Sequence, residues 1–353
     1  MRVVAVALLL ICALVALPLR AQPPADPFPV ATTRDGTHDF DFLDGHWRTH
    51  YRRLGHILSH SHDWYDCNGA SVVTPFWNHG GNLEDGDLAC PHAYIGGMTL
   101  RIYNAQTHQW ALYWGTRKGG IDPEPPQVGH FDADGVGTFY APYNYRGTYV
   151  ICRFRWTLRL GDHPRFEQAF SSDGGKTWET NWTTDYTRSD DARPAPGSPP
   201  PAKNNFDFMY GRWSIHYKRL AQRLRHSNAW TTCDGSSVVR PFWGGSGNIE
   251  DGRVRCGTSS ISAIVLRTYD AATNHWTLYW GSTADGFSPI GPSGRFDDAS
   301  GIGEFFSNDT ENGTSIIVRQ TWKRDARPHF EQAFSADQGA TWETNWYADY
   351  TRR

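Results

Sequence analysis

The tryptophans of this chain recur in two matched series, and this repetition constrains the fold more than any other feature. All 16 tryptophans form pairs that run in the same order through two consecutive stretches. The shift is 166 residues for the first six pairs and 164 for the last two. We therefore predict a tandem duplication in which each copy keeps one aromatic skeleton. The pairs are Trp47/Trp213, Trp64/Trp230, Trp77/Trp243, Trp110/Trp276, Trp114/Trp280, Trp156/Trp322, Trp178/Trp342 and Trp182/Trp346.

The first 21 residues have the features of a secretory signal. A positive charge at Arg2 precedes the apolar run 3–17, and Ala21 provides a small residue at the expected cleavage position. The apolar run is too short to favour a membrane span. We therefore expect a periplasmic or secreted protein with no membrane span in its mature form.

The charge balance argues against nucleic acid as a partner. Arg2 and Arg20 lie in the signal, so 32 of the 34 basic residues remain against 37 acidic ones, and they form no basic stripe. No glycine-rich loop resembles a phosphate cradle. We expect a small molecule as partner and no cofactor, and the oligomeric state stays open.

Four cysteines form a repeated pattern. Cys67 and Cys90 are 23 residues apart, as are Cys233 and Cys256. In an oxidising compartment this spacing predicts one disulfide in each copy, which stabilises the fold by roughly 3 kcal/mol in the chain-entropy treatment. A zinc site is the rival, and the lack of a Cys-x-x-Cys motif disfavours it. Cys152 has no cysteine counterpart, and its apolar neighbours predict a buried free thiol.

Composition divides the chain into five segments. The signal covers residues 1–21, and a Pro-rich N-terminal segment covers 22–37. Repeat 1 spans 38–188 and repeat 2 spans 204–353. Between them, residues 189–203 carry five prolines among small and polar residues, which is typical of a semi-rigid extended linker. Each repeat is long enough to bury its own core.

Apolar and polar residues alternate with period two within each repeat, which is typical of β-strands. In the first such segment, Trp47 and Tyr51 point one way while the arginine and histidine between them point the other. Segments 100–103 and 110–114 predict a hairpin, which repeat 2 also carries. About eight to ten short strands per repeat predict an all-β fold, either a sandwich or a barrel.

Longer motifs resemble those of an uncharacterised family of bacterial calycin-like, or lipocalin-like, domains. They are Phe-Asp-Phe-Leu-x-Gly-x-Trp at 40–47, Pro-Phe-Trp at 75–77, Gly-Asn-x-Glu-Asp at 81–85, and Glu-Gln-Ala-Phe-Ser-x-Asp-x-Gly-x-Thr-Trp-Glu-Thr-Asn-Trp at 167–182. The resemblance covers both repeats almost end to end. It implies two tandem antiparallel calycin-like barrels and brings no established activity.

Repeated carboxylates are the candidates for acid–base chemistry. Some lie in Gly-rich stretches that we expect to be loops, where packing does not require an acid. Paired carboxylates can act as acid and base if burial raises the pKa of one of them. The alternative is an interior ion pair that joins Glu167 or Glu179 to an arginine such as Arg101 or Arg153, because buried charges need partners. The candidate catalytic residues are Glu84, Asp85, Glu167, Glu250, Asp251 and Glu331.

The tryptophan density exceeds what one small core usually needs. Aromatic walls with a few charged groups suit a hydrophobic, aromatic or sugar-like ligand. The rims of the two repeats differ, since the tyrosines at 143 and 145 correspond to acids at 309 and 311. The candidate ligand-binding residues are Trp47, Arg101, Tyr103, Trp114 and Arg153 in repeat 1, and Trp213, Arg267, Tyr269, Trp280 and Arg319 in repeat 2.

Histidine provides no repeated metal motif. His56, His60 and His62 could form a cluster in repeat 1, but repeat 2 has Gln222 and Asn228 at the outer positions. Solvated surface histidines are the more common explanation, so we predict no metal site.

Three functions stay open at this point. The leading hypothesis is an exported small-molecule binding protein with the ligand inside one or both barrels. The second is a secreted lyase, isomerase or hydrolase that uses loop or barrel carboxylates. The third is a protein-interaction scaffold in which the linker sets the spacing of the two barrels.

Overall fold

The computed structural model describes residues 28, 31–159, 163–194 and 205–353. The described residues form strands and three short 3₁₀ turns, at Asp41–Leu43, Asp207–Met209 and Trp243–Gly245. Within them, no helix is long and apolar enough to cross a membrane. The predicted signal 1–21 lies outside the described residues, as do parts of the Pro-rich segment 22–37 and of the linker 189–203.

Repeat 1 forms a closed antiparallel barrel of ten strands with one additional short strand. Strands that follow each other along the chain pair with each other, and β1 pairs with β11 to close the barrel. The short β6 pairs with β5, which also pairs with β7. The strands are β1 Gly45–Leu54, β2 Trp64–Phe76, β3 Gly81–Cys90, β4 Ala93–Asn104, β5 Gln109–Thr116, β6 Gly120–Ile121, β7 Gln127–Phe131, β8 Val136–Tyr145, β9 Thr148–Arg159, β10 His163–Ser171 and β11 Glu179–Arg188.

Repeat 2 forms a second barrel with the same topology, closed by β12 against β22. The two tandem all-β barrels predicted from the sequence are therefore confirmed. The strands are β12 Gly211–Leu220, β13 Trp230–Phe242, β14 Gly247–Cys256, β15 Ser259–Asp270, β16 His275–Ser282, β17 Gly286–Phe287, β18 Ser293–Phe296, β19 Ile302–Glu311, β20 Thr314–Lys323, β21 His329–Ser335 and β22 Glu343–Arg352.

The residues that alternate with period two in the sequence point alternately to the inside and the outside of each barrel. On β1, Trp47, Thr49 and Tyr51 are buried while Arg48 and His50 are exposed. Successive side chains on a strand point to opposite faces, so the buried set faces the barrel interior. The predicted hairpin 100–103 with 110–114 is confirmed as β4 and β5.

Aromatic rings fill one end of each barrel, which we call the closed end because the interior there is packed. It is the end at which β1 and β12 begin. In barrel 1, the Phe40 ring lies 5.1 Å from that of Trp110, 5.0 Å from Phe131 and 5.7 Å from Phe139. Phe206 has the same place in barrel 2. Such rings bury a large apolar area per residue, which gives each repeat its own core.

The predicted disulfides are confirmed. Cys67 bonds to Cys90 and joins β2 to β3, and Cys233 bonds to Cys256 and joins β13 to β14. Cys152 is a buried free thiol, as expected. Both bonds stay within one repeat, so each barrel is cross-linked on its own.

The outer faces of the two barrels pack against each other through an apolar patch, which we call the barrel interface. Trp243 is 1% exposed there, and its Nε1 donates a hydrogen bond to the Gly97 carbonyl of repeat 1 at 2.9 Å. Residues that face away from both barrel interiors therefore also become buried. The interface contains Phe76, Leu83, Met98, Leu100, Ile102, Tyr113 and Ile121 from repeat 1, and Phe242, Trp243, Ile249, Ile264, Leu266, Tyr279 and Phe287 from repeat 2.

Candidate functional site

Each barrel contains a cavity in the half opposite its closed end. The cavity has a volume of about 230 Å³ in barrel 1 and about 500 Å³ in barrel 2. Apolar and aromatic side chains form most of both walls. Pockets of this kind, with a small number of polar groups, are typical of small-molecule sites.

A buried ion pair forms the floor of the cavity in barrel 1. Arg101 donates from Nη2 to Glu84 Oε2 at 2.5 Å and from Nη1 to Asn82 Oδ1 at 3.0 Å. The Tyr186 hydroxyl donates to the other Glu84 oxygen at 3.1 Å. The side chains of Arg101 and Glu84 are only 1% and 8% exposed. The guanidinium also lies over the Trp156 ring at 5.2 Å, so the ion pair separates the packed end from the cavity.

Barrel 2 repeats this floor with one change. Arg267 donates to Glu250 Oε2 at 2.6 Å and to Asn248 Oδ1 at 2.9 Å. The Ser237 hydroxyl donates to Glu250 Oε1 at 2.8 Å. Burial, and then the negative charge of Glu250, raise the pKa of Tyr350 well above its usual range. Burial and Glu84 do the same to the pKa of the equivalent Tyr186, so both phenols stay protonated.

Two tryptophans from facing strands meet at the wall of each cavity. In barrel 1, the rings of Trp114 and Trp182 lie 5.6 Å apart in an edge-to-face arrangement. Arg53 lies over the Trp182 ring at 4.5 Å. In barrel 2, the equivalent Trp280 and Trp346 are also 5.6 Å apart. The two repeats thus preserve an aromatic corner above the ion pair.

The rims of the cavities differ, as the sequence predicts. In barrel 1, Tyr143 and Tyr145 pack on Phe170 at 5.8 and 5.3 Å. In barrel 2, Asp309 and Glu311 take the places of the two tyrosines and line the cavity. The aromatic rim reduces the space in barrel 1, whereas barrel 2 is wider and carries at its rim Asp309 and an ion pair between Glu311 and Arg223 at 2.9 Å.

A glutamate fixes the loop beside each cavity. Glu179 accepts hydrogen bonds from the backbone N–H groups of Leu58 and His60, at 2.5 and 3.2 Å. Glu343 accepts one from Leu224 in repeat 2 at 2.6 Å. The interior ion pair proposed for Glu179 is therefore wrong, because its carboxylate holds the loop that follows β1.

The predicted ligand-binding residues occupy three different environments. Arg101 and Trp114 line the cavity of barrel 1, and Trp280 lines that of barrel 2. Arg267 belongs to the floor of barrel 2 through its bond to Glu250. The others lie outside the cavities: Trp47, Tyr103, Trp213 and Tyr269 are in the closed-end clusters, and Arg153 and Arg319 stack on Trp178 and Trp342 at 4.3 and 4.5 Å.

The predicted catalytic carboxylates also separate. Glu84 and Glu250 line the cavities, but they lie on β3 and β14, so the loop expected there is wrong. Glu167 accepts a bond from Arg165 at 3.3 Å, and Glu331 accepts one from Thr344 at 2.8 Å. These two are not in the cavity walls, and neither are Asp85 and Asp251.

Asp85 lies at the barrel interface, where it accepts a hydrogen bond from the Trp243 backbone N–H at 3.0 Å. Burial raises the pKa of Asp85 from 3.8 to about 6, against the opposing effects of that hydrogen bond and of Arg117. The folded protein therefore binds more protons at this carboxyl than the unfolded chain does. Consequently the contribution of Asp85 to the free energy of unfolding should fall as the pH rises from about 4 to about 6.

We expect Asp85→Asn to remove this contribution from the stability profile, because the amide keeps an acceptor oxygen but does not ionise. The measurement is urea unfolding of both proteins across pH 4–7. Since the other titrating groups are common to both proteins, the difference in free energy isolates Asp85. Identical pH slopes would contradict this assignment.

Sequence reasoning missed several residues of the cavities. Tyr51, Tyr186 and Trp182 line the cavity of barrel 1 but were not among the candidates. Tyr51 is four residues after Trp47 on the same strand, so the two side chains point to the same face, and Trp182 has a tryptophan counterpart in repeat 2. Both signals were present in the sequence, although they do not show how far along the barrel each residue lies.

Among the described residues, the side chains grouped closely enough to hold a metal ion are His38, Asp41 and His79. They lie outside both cavities. The alternative cluster of His56, His60 and His62, which the sequence disfavoured, does not form such a group among the described residues.

No protein-family model matches the chain, and no curated protein matches it. Among solved structures, it is similar to a protein of unknown function from the DUF3598 family of Nostoc punctiforme, with 9% identity over 91% of this chain and 100% of that chain and a TM-score of 0.23. It is also similar to the transferrin binding protein B of Haemophilus parasuis, with 7% identity over 86% of this chain and 75% of that chain and a TM-score of 0.16. TM-scores this low carry no argument about function.

Proposed function

We propose that the protein is an exported small-molecule binding protein whose two calycin-like barrels take hydrophobic or aromatic ligands into their open halves. The observation that carries this proposal is the cavity in each barrel, which lies between a packed aromatic end and a wall with a tryptophan corner. The duplication has kept this arrangement in both repeats.

The chemistry of the walls supports an apolar ligand with a polar group. The edge-to-face pair of Trp114 and Trp182 offers flat apolar surface, which favours ring-shaped or aliphatic molecules. At the floor, Arg101 and Glu84 line the cavity and bond to each other, so a polar group of the ligand would lie beside this ion pair.

The two cavities should differ in the ligands that they accept. Barrel 2 has about twice the space, since the volumes are about 500 and 230 Å³. Its rim carries Asp309 and Glu311. Barrel 2 therefore favours the larger ligand. Because Arg223 pairs with Glu311 at 2.9 Å, the carboxylate of Asp309 is the rim group that would accept a hydrogen bond from a ligand hydroxyl or ammonium group.

The disulfides support export. Such bonds form and persist in oxidising compartments and are rare in the cytosol of mesophiles. Two of them, at equivalent places in the two repeats, fit a periplasmic or secreted protein.

Catalysis is not put forward as a second function. Of the six candidate carboxylates, Glu84 and Glu250 line the cavities, and each is already paired with an arginine. The other oxygen of each carboxylate accepts a hydrogen bond from a hydroxyl, of Tyr186 in barrel 1 and of Ser237 in barrel 2, so both oxygens already have partners within the protein.

A titration with an apolar fluorophore tests the proposal. We expect emission changes that saturate at no more than two equivalents. The double variant Thr99→Trp/Val265→Trp adds bulk to equivalent positions of the two cavity walls. It should weaken binding at least about tenfold, since overpacking typically costs 1–3 kcal/mol and 1.4 kcal/mol is a factor of ten.

The matched control is Tyr149→Trp/Ser315→Trp, which places the same residues at equivalent exposed positions on β9 and β20. This variant should bind like the wild type. A signal that never saturates, or equal affinities for the two double variants, would refute binding inside the barrels.

A further inference from the structure

A cluster of histidine and aspartate side chains lies at the closed end of barrel 1, outside the cavity. His38 Nδ1 lies 2.8 Å from Asp41 Oδ2, and His79 Nδ1 lies 2.9 Å from Asp41 Oδ1. Asp44 Oδ2 lies 3.4 Å from the same His79 nitrogen. One atom each of His38, Asp41 and His79 can be chosen so that all lie within 4.8 Å of one another.

These separations match those around a metal ion. With zinc–ligand bonds of about 2.0–2.1 Å, adjacent ligand atoms of a tetrahedral site are about 3.3 Å apart. His38, Asp41 and His79 are therefore close enough to share one ion, and Asp44 lies beside His79. The four side chains are between 26% and 67% exposed, so an ion can enter from solvent and water can complete its coordination.

The backbone places His79 beside the aspartates through an uncommon conformation. The turn between β2 and β3 holds Trp77, Asn78 and His79 at φ of 53°, 53° and 69°. Side chains in the left-handed region cost roughly 1–2 kcal/mol per residue. Repeat 2 has glycine at the last two places of this turn, Gly244 and Gly245. Repeat 1 thus keeps a histidine at a position where glycine would adopt the backbone conformation with less strain. This histidine contacts two carboxylates.

The internal duplication supplies a comparison. The positions of His38, Asp44 and His79 correspond to Asn204, Tyr210 and Gly245, and only Asp41 is matched by an aspartate. Repeat 2 therefore lacks both imidazoles, which shows that the barrel fold itself does not require them.

We propose that His38, Asp41 and His79 form a binding site for one divalent transition-metal ion such as Zn²⁺, with Asp44 as a neighbouring carboxylate beside His79. A site that combines imidazole nitrogens with carboxylate oxygens suits zinc and other divalent first-row transition metals, whereas magnesium and calcium prefer sites made of oxygen ligands alone. Because imidazole must be deprotonated to bind, affinity should fall as the pH is lowered.

The experiment is a calorimetric titration of the metal-stripped full chain, without a histidine tag, with Zn²⁺. We expect one equivalent per chain in the wild type, with no competition from Mg²⁺. His79→Gly introduces the residue found in repeat 2, and it should weaken Zn²⁺ binding more than about 100-fold. A residue that only hydrogen-bonds to a metal ligand typically costs about 10–100-fold when it is replaced, so a larger loss indicates direct coordination. His38→Asn, again the residue of repeat 2, should have the same effect.

The control is His60→Gly, which removes an exposed histidine that also has a positive φ, 56°, but lies in the loop between β1 and β2. It should bind Zn²⁺ like the wild type. His79→Gly should fold normally, since glycine adopts this φ without strain. Absence of Zn²⁺ binding to the wild type, or undiminished binding by His79→Gly, would overturn the proposal.

Discussion

Replacing Arg101 with methionine is expected to lower the free energy of unfolding of barrel 1 by about 3–5 kcal/mol. The reason is that Glu84, whose side chain is 8% exposed, would lose the partner that lies 2.5 Å away. A buried carboxylate without a partner is far more costly than one that is paired. Urea unfolding of the full chain measures the change.

The double variant Arg101→Met/Glu84→Gln provides the control. Because it removes both charges, it should recover a large part of the loss, as replacement of a buried ion pair by neutral residues often does. Arg267→Met should reproduce the loss in barrel 2, where the same pair lies at 2.6 Å. If the single and double variants were equally unstable, packing rather than charge would explain the effect.

Replacing Trp243 with alanine should cost about 3–5 kcal/mol, the usual range for a buried tryptophan. Trp243 is 1% exposed at the barrel interface and bonds to repeat 1 through both its indole and its backbone N–H. We expect the two barrels to become less coupled, so that thermal unfolding followed by calorimetry separates into two transitions.

Trp77 is the matched control because it occupies the same place in repeat 1 with a similar φ, 53° against 51°. It is only partly buried, and its indole N–H has no hydrogen-bond partner among the described residues. Trp77→Ala should therefore cost clearly less. Equal losses in the two variants would contradict the asymmetric interface.

The fold could be predicted from the sequence because two independent patterns agree. Period-two alternation gives strands, and the paired tryptophans and cysteines show that each copy is complete. A strand such as β1, with Trp47 inside and Arg48 outside, can have only one orientation in a closed barrel. These patterns determine the two barrels and the disulfides.

The site was predicted less well, because alternation distinguishes inside from outside but not one end of a barrel from the other. Trp47 and Trp114 both face inward, yet Trp47 is packed in the closed end and Trp114 lines the cavity. Ring packing across the barrel decides which end is filled, and this depends on contacts between distant strands.

The barrel interface was missed for a related reason. Leu100 and Ile102 alternate with the inward-facing Arg101, so β4 carries apolar residues on its outer face. A strand that is apolar outside must pack against something, and here it packs against the other repeat. The sequence contained this signal, but the segment was used only to predict a hairpin with 110–114.

A crystal structure of the protein soaked with the saturating fluorophore tests the central claim most directly. The account predicts electron density for the probe beside Trp280 and Trp346, above the pair of Arg267 and Glu250, in the larger of the two cavities. Density for the probe only on the outer faces of the barrels, with ordered water filling both interiors, would contradict it.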